Sequence, residues 1–245
     1  MDVTNKAVVI GASIGGLEAL RSIVGELPAR TSAALFVVLH VGAHKSDLPR
    51  LLSHRSQLQA VHPRAGELVQ PGRIYVAPPD HHMIVQSGRI VLTRGPRENR
   101  ARPAIDPLFR SVARAYGESA IGVILTGALD DGTAGLFEIK ARGGTTVVQD
   151  PDDAFCADMP RSALTHVEID HVAPASSLGA LIADLLTRPP MASRPAPSPE
   201  EQEMTTESKL DRPQAITCPD CGGAFAQSQA GQSTRFTCHV GHIHD

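Results

Sequence analysis

The segment Ala7-Val-Val-Ile-Gly-Ala-Ser-Ile-Gly-Gly16 constrains the fold more than any other stretch, because an apolar run breaks into small residues just before an amphipathic stretch begins. Such a sequence reads as a strand, a tight turn and a helix. A hydroxyl on that turn, here Ser13, meets the dipole and unpaired amides of the following helix, so negative charge developing nearby is stabilised. The glycines also invite comparison with a dinucleotide loop. That fingerprint needs Gly-x-Gly-x-x-Gly, whose second glycine lets the backbone approach a pyrophosphate, and an acidic residue about 20 positions on. Here Ser13 holds the middle position and the second apolar strand ends in His40, not in an acid, so nucleotide binding is the weaker reading.

The apolar runs recur in a rhythm that suits a parallel sheet. Strands are expected over 7–11, 34–40, 121–125, 145–149 and 168–172, and helices over 16–26, 107–116, 134–141 and 176–186. Alternating elements of this kind give an α/β fold, a doubly wound, mainly parallel sheet with helices on both faces. Between the second and third strands, Arg73-Ile-Tyr-Val-Ala-Pro-Pro and the run from His82 to Leu92 alternate in polarity around a turn at Ser87-Gly88. An inserted β-hairpin is expected there. After Leu186 the composition turns to Pro, Ser and Glu, so 1–186 reads as one domain, 187–213 as a solvated Pro-rich linker and 214–245 as a small module.

Charge and hydropathy narrow the partners. A net charge of −3 and no basic stripe argue against nucleic acid, whose phosphates demand clustered Lys and Arg. The longest apolar runs fall far short of the ~20 residues that cross a bilayer, so no membrane insertion is expected. The N-terminus lacks a basic segment followed by an apolar core, which points to a cytoplasmic protein.

In open α/β sheets, functional groups collect in the loops beyond the carboxyl ends of the strands. Ser13 follows the first strand, His40 closes the second, and Asp130-Asp131 follow the third just before Gly132 starts a helix. A serine hydroxyl becomes a good nucleophile only when an imidazole takes its proton, and the imidazole needs a carboxylate to fix its tautomer. Each residue also has an ordinary role open to it. Ser13 and either aspartate suit helix caps, and His40 suits a packed strand end.

Four stretches together carry a family resemblance: Val9-Ile-Gly-Ala-Ser-Ile-Gly-Gly, the strand ending in His40, Asn99-Arg-Ala-Arg-Pro-Ala-Ile-Asp-Pro-Leu-Phe-Arg-Ser-Val-Ala113, and Gly122-Val-Ile-Leu-Thr-Gly-Ala-Leu-Asp-Asp-Gly132. Residues 6 to 186, Met159-Pro160 included, resemble the catalytic domain of the CheB chemotaxis protein-glutamate methylesterases. The resemblance implies hydrolysis of glutamate γ-methyl esters on the cytoplasmic helices of methyl-accepting chemotaxis receptors, releasing methanol. Many members also deamidate receptor glutamines. Carried over, Ser13 is the nucleophile, His40 the base and then acid, Asp131 its orienter, and the Ala128 backbone amide a donor to the oxyanion; Asp130 falls at a variable position. No cofactor is implied for catalysis. Ala128 stands where well-known members carry Met, Ile14 where Thr is frequent, and Leu129 where a small residue is usual. Many members also carry an N-terminal receiver domain, whereas this chain enters its first strand by residue 7. Control is therefore expected from a partner protein, from localisation or from the C-terminal module, the alternative being a constitutively open enzyme. The rival from another class is a non-catalytic signalling scaffold that keeps the fold.

The module has chemistry of its own. Cys218-Pro-Asp-Cys221 and Cys238-His-Val-Gly-His242 form a Cys-x2-Cys pair and a Cys-x3-His pair separated by sixteen residues. That spacing suits a structural zinc ribbon with Cys218, Cys221, Cys238 and His242 as ligands, the metal standing in for a core too small to fold alone. His239 or His244 could replace His242, and a redox role for Cys218 and Cys221 is the alternative. Cys156 reads as a small buried filler. Arg97, Arg100 and Arg102 beside Asn99 form a small basic cluster, either a solvated surface or, through Arg100 and Arg102, a dock for acidic receptor helices.

Overall fold

The computed structural model describes residues 6–40, 46–188, 213–219, 224–230, 233–238 and 242–244. Seven strands form one parallel sheet: β1 (Ala7–Ala12), β2 (Ala34–Leu39), β3 (Gln59–Val61), β4 (Arg73–Val76), β7 (Ala120–Ile124), β8 (Thr145–Gln149) and β9 (His171–Ala173), in the order β3-β4-β2-β1-β7-β8-β9. Every residue of β1, β2 and β7 is buried, which explains why their sequences read as unbroken apolar runs. One face is covered by α1 (Gly16–Glu26), α2 (Leu48–Ser53) and α6 (Ala175–Thr187), through Leu20, Ile23, Leu52, Leu178 and Ile182. The other face is covered by α3 (Ile105–Tyr116), α4 (Thr133–Ala141) and α5 (Asp158–His166), through Leu108, Phe109, Leu136, Ile139 and Met159.

The inserted hairpin is β5 (His82–Gln86) paired with β6 (Arg89–Thr93), and its turn places Ser87 and Gly88 at φ 49° and 71°. Two positive φ angles give the turn the twist that matches a right-handed strand pair. Arg73–Val76 does not belong to that hairpin. It lies in the main sheet, parallel to β2 and β3, because Pro78-Pro79 cut it off from β5. The short elements α2, β3 and α5, which lack a sustained period, stand beyond the elements expected from the sequence.

The C-terminal module is a four-stranded antiparallel sheet, β10 (Pro213–Thr217), β11 (Ala224–Ala230), β12 (Ser233–Cys238) and β13 (Ile243–His244). Cys218, Phe225 and Cys238 are buried with Phe236 packed against them, a core too small to hold a domain unaided. Most of the expected linker, together with Cys221 and His239, lies outside the described residues.

Candidate active site

The strand order decides where the chemistry can sit. β1 lies between β2 and β7, with Ala12 in register with Leu39 and Gly11 with Ile124, so the chain leaves all three strands at one edge. This is the point where the order of the sheet reverses, the usual place for a ligand crevice. Ser13 and His40 are the first residues beyond β1 and β2. The Ser13 amide donates to the Thr126 carbonyl at 3.0 Å and the His40 amide to the Ala12 carbonyl at 3.1 Å, which pins both to the sheet.

The imidazole of His40 bridges the two groups. Its Nδ1 lies 3.2 Å from Ser13 Oγ and its Nε2 lies 2.7 Å from Asp131 Oδ2. A carboxylate facing Nε2 holds the ring proton there, leaving the Nδ1 lone pair to accept from the serine hydroxyl. Ser13 does not cap α1: Gly15, at φ 76°, is the N-cap residue. Neither aspartate caps α4 by its side chain, since Gly132 at φ 98° holds that position without a side-chain hydrogen bond. A left-handed residue is needed there, and a β-carbon on Gly132 would in addition meet Ile105 Cγ2 at 2.7 Å.

Asp131 is 2 % exposed and takes four donors. Oδ2 accepts from His40 Nε2 and from the Ile105 amide at 2.7 Å; Oδ1 accepts from Asn99 Nδ2 at 3.1 Å and the Asp106 amide at 3.2 Å. The two amides open α3, so the carboxylate also sits in the positive field of a helix N-terminus. Burial pushes the Asp131 carboxyl up, but the bonds from His40, Ile105 and Asn99 together with the His40 charge outweigh it, and the net shift is downward. α3 reaches this close because β1 carries glycine opposite its start: a β-carbon on Gly11 would stand 2.5 Å from Ile105 Cγ2.

Asn99, which the sequence places only among the arginines of the basic cluster, belongs to this site. It is buried, holds φ 47°, and its Nδ2 donates both to Asp131 and to Asp106 Oδ2 at 3.0 Å. Only its place at the head of the stretch running to Ala113 marks it in the sequence. Arg102 is engaged elsewhere, its guanidinium 2.6 Å from Asp80 Oδ1 and 2.8 Å from the Gly95 carbonyl, whereas Arg100 is exposed. The bond from Arg102 holds the Asp80 carboxyl below its ordinary range.

The loop after β7 closes the other side of the serine. A β-carbon on Gly127 would fall 2.8 Å from Ser13 Cβ and against Met159 Sδ. The Gly127 amide donates to the Cys156 carbonyl at 3.0 Å, and the next residue, Ala128, is exposed. Cys156 is part-buried and not the apolar filler expected; its backbone ties this loop to α5 through Thr126 Oγ1 at 2.8 Å. Around the serine, Ile14, Leu129 and Phe155 are 53 %, 55 % and 78 % exposed, with Phe155 packed over Gly15.

With this geometry in view, comparison with known proteins is decisive. The signature of the CheB methylesterase family matches residues 8–182. The chain belongs to that family. A Leptospira interrogans relative named for protein-glutamate methylesterase and protein-glutamine glutaminase activity is 37 % identical over 182 residues, spanning 74 % of this chain and 94 % of its own length. A similarly named Yersinia pestis protein is 41 % identical over 167 residues, 66 % of this chain but 47 % of the relative. The Thermotoga maritima CheB methylesterase catalytic domain superposes with a TM-score of 0.70 at 34 % identity, covering 74 % of this chain and 98 % of that structure. Among the described residues no helix is long and apolar enough to cross a membrane.

The C-terminal module lies outside the residues 8–182 that the family signature matches. Its Cys218 Sγ and Cys238 Sγ lie 3.6 and 3.5 Å from His242 Nδ1, and these three atoms, which could hold a metal ion, lie within 4.8 Å of one another.

Proposed function

We propose that the chain is a serine esterase acting on glutamate γ-methyl esters of methyl-accepting chemotaxis receptors. The observation that carries this reading is the continuous relay from Ser13 Oγ through His40 to a buried Asp131 within a CheB methylesterase fold. Ser13 Oγ attacks the ester carbonyl as its proton passes to His40 Nδ1. Asp131 stabilises the imidazolium, and the oxyanion is met by the Ala128 amide at the loop beside Ser13 and by the field at the start of α1. Collapse of the tetrahedral intermediate expels methanol with the proton from His40, and water deprotonated by His40 then hydrolyses the acyl-enzyme to glutamate. Deamidation of glutamine follows the same route with ammonia as the leaving group.

The apolar rim of Ile14, Leu129 and Phe155 supports a protein substrate, because exposed apolar residues clustered around a nucleophile suit a broad packed surface better than a small hydrated ester. Arg100 remains the residue for an acidic receptor helix, while Arg102, held by Asp80, shapes the loop that presents it. Methanol release from methylated receptor is the direct test. The parent chain turns over and Ser13→Ala does not; turnover by Ser13→Ala equal to the parent would refute the assignment.

The module is proposed as a structural zinc site with Cys218, Cys238 and His242 as ligands and Cys221, by spacing, as the fourth. Tetrahedral Zn–S and Zn–N bonds of usual length place sulfur and nitrogen about 3.6 Å apart. The two S···N separations here, 3.6 and 3.5 Å, fit that value.

A further inference from the structure

The C-terminal module touches the catalytic domain at one informative place. Ile243 pairs with Glu98 as a parallel bridge: the Asn99 amide donates to the Ile243 carbonyl at 2.7 Å, and the Ile243 amide faces the Arg97 carbonyl at 3.4 Å. Ile243 follows His242 directly, and His242 is tied into the module by its carbonyl, which accepts from the Cys238 amide at 3.0 Å, and by its own amide, 3.2 Å from Cys238 Sγ. The ligand cluster therefore lies one residue from the contact. On the other side of the contact, the side chain of Asn99 donates to Asp131 Oδ1 and Asp106 Oδ2.

We propose that Asn99 is a positioning residue for Asp131 and that the C-terminal module sets its position by adding a strand to the Arg97–Asn99 segment. This rests on the triad reading above. Asn99 holds a left-handed backbone at φ 47°, a region asparagine enters more readily than most residues. Its amide hydrogen bond to Ile243 is the shortest backbone contact the module makes with the domain among those described. With that bond in place, Nδ2 is aimed between two buried carboxylates, and Asp131 is held at the oxygen that His40 does not use. When the module lets go, Asp131 keeps the amides of Ile105 and Asp106 but loses a side-chain donor, and the imidazole it orients gains freedom. The module thus acts in cis on the accuracy of the relay without touching substrate, and whatever loosens it, metal loss included, slows the serine.

Ile243→Pro in the full chain separates this from a general loss of structure. The Ile243 amide and carbonyl face the catalytic domain, so proline removes one bond across the contact and crowds the Arg97 carbonyl without taking a ladder bond from β12. Two readouts are followed, hydrogen exchange at the Asn99 amide and the rate at which a fluorophosphonate probe labels Ser13. Ile243→Pro and Asn99→Ala are each expected to slow labelling about tenfold, an ordinary size for coupling between sites. Ile243→Pro also removes exchange protection at Asn99, and the double variant is no slower than Asn99→Ala alone. Protection unchanged in Ile243→Pro, protection lost with labelling within twofold of the parent, or losses that multiply in the double variant would each overturn the proposal. A parent chain that the probe never labels strikes the serine-esterase reading itself, whereas exchange at Asn99 reports on the contact alone.

Discussion

Replacing Asp131 by asparagine is the most informative single change in the relay. The carboxylate offers two acceptor oxygens to four donors, with His40 Nε2 and the Ile105 amide on Oδ2 and Asn99 Nδ2 and the Asp106 amide on Oδ1. Asparagine has one oxygen. The two 2.7 Å contacts favour keeping it at the Oδ2 position, which turns the new amide NH2 toward two donors at 3.1 and 3.2 Å. Asn99 Nδ2 keeps its bond to Asp106 Oδ2 while the Asp106 amide comes to face a donor, and leaving one buried donor unsatisfied costs about 1–3 kcal/mol, so the variant is expected to lose roughly that much stability. In this orientation the His40 tautomer survives but the charge that stabilises the imidazolium is gone. The opposite orientation donates to Nε2, drives the ring proton to Nδ1 and removes the base outright. Both routes lower kcat, by about a hundredfold for the first and up to about 10^4 for the second, or roughly 3–5 kcal/mol of barrier. Steady-state methanol release with thermal unfolding as the control measures both. A folded variant whose kcat stays within tenfold of the parent would show that the carboxylate does not serve the imidazole.

Two further predictions concern the loop after β7 and the response to acid. Gly127→Ala places a methyl against Ser13 Cβ and the fully buried Met159 sulfur, so overpacking of about 1–3 kcal/mol should lower the melting temperature and displace the nucleophile; unchanged Tm and kcat would contradict the close approach. Asp131 is depressed as described, and in Asp170 the bonds from Lys140 and Thr146 overcome burial to hold the carboxyl below its ordinary range. Carboxyls depressed in the folded state stabilise it fully above the unfolded value, near 3.9 for aspartate, and that stability is lost as pH falls through the lower folded values. Melting temperature should therefore stay level from about pH 8 to 5 and fall steeply below about pH 4, with Asp170→Asn flattening part of the fall; an equal slope in that variant would refute the assignment for Asp170.

Local sequence was enough to mark Ser13, His40 and Asp131 as candidates, because each ends or follows an apolar run of strand length and such ends collect function in parallel sheets. The continuous burial of β1, β2 and β7 left the same plain signature. It was not enough to decide whether they cap helices. Gly15 and Gly132 take the cap positions, which leaves the Ser13 and Asp131 side chains to face His40.

What the sequence determined by itself is the α/β class and the hairpin turn at Ser87-Gly88. These follow from periods and turn chemistry that act over a few residues. Tertiary structure alone decided the order of the strands, the place of Arg73–Val76 in the main sheet, the role of Asn99 and the pairing of Ile243 with Glu98. Those are contacts between residues far apart along the chain. Their geometry is set by which strand lies beside β1 and how closely α3 can approach Gly11, and no local pattern carries that information.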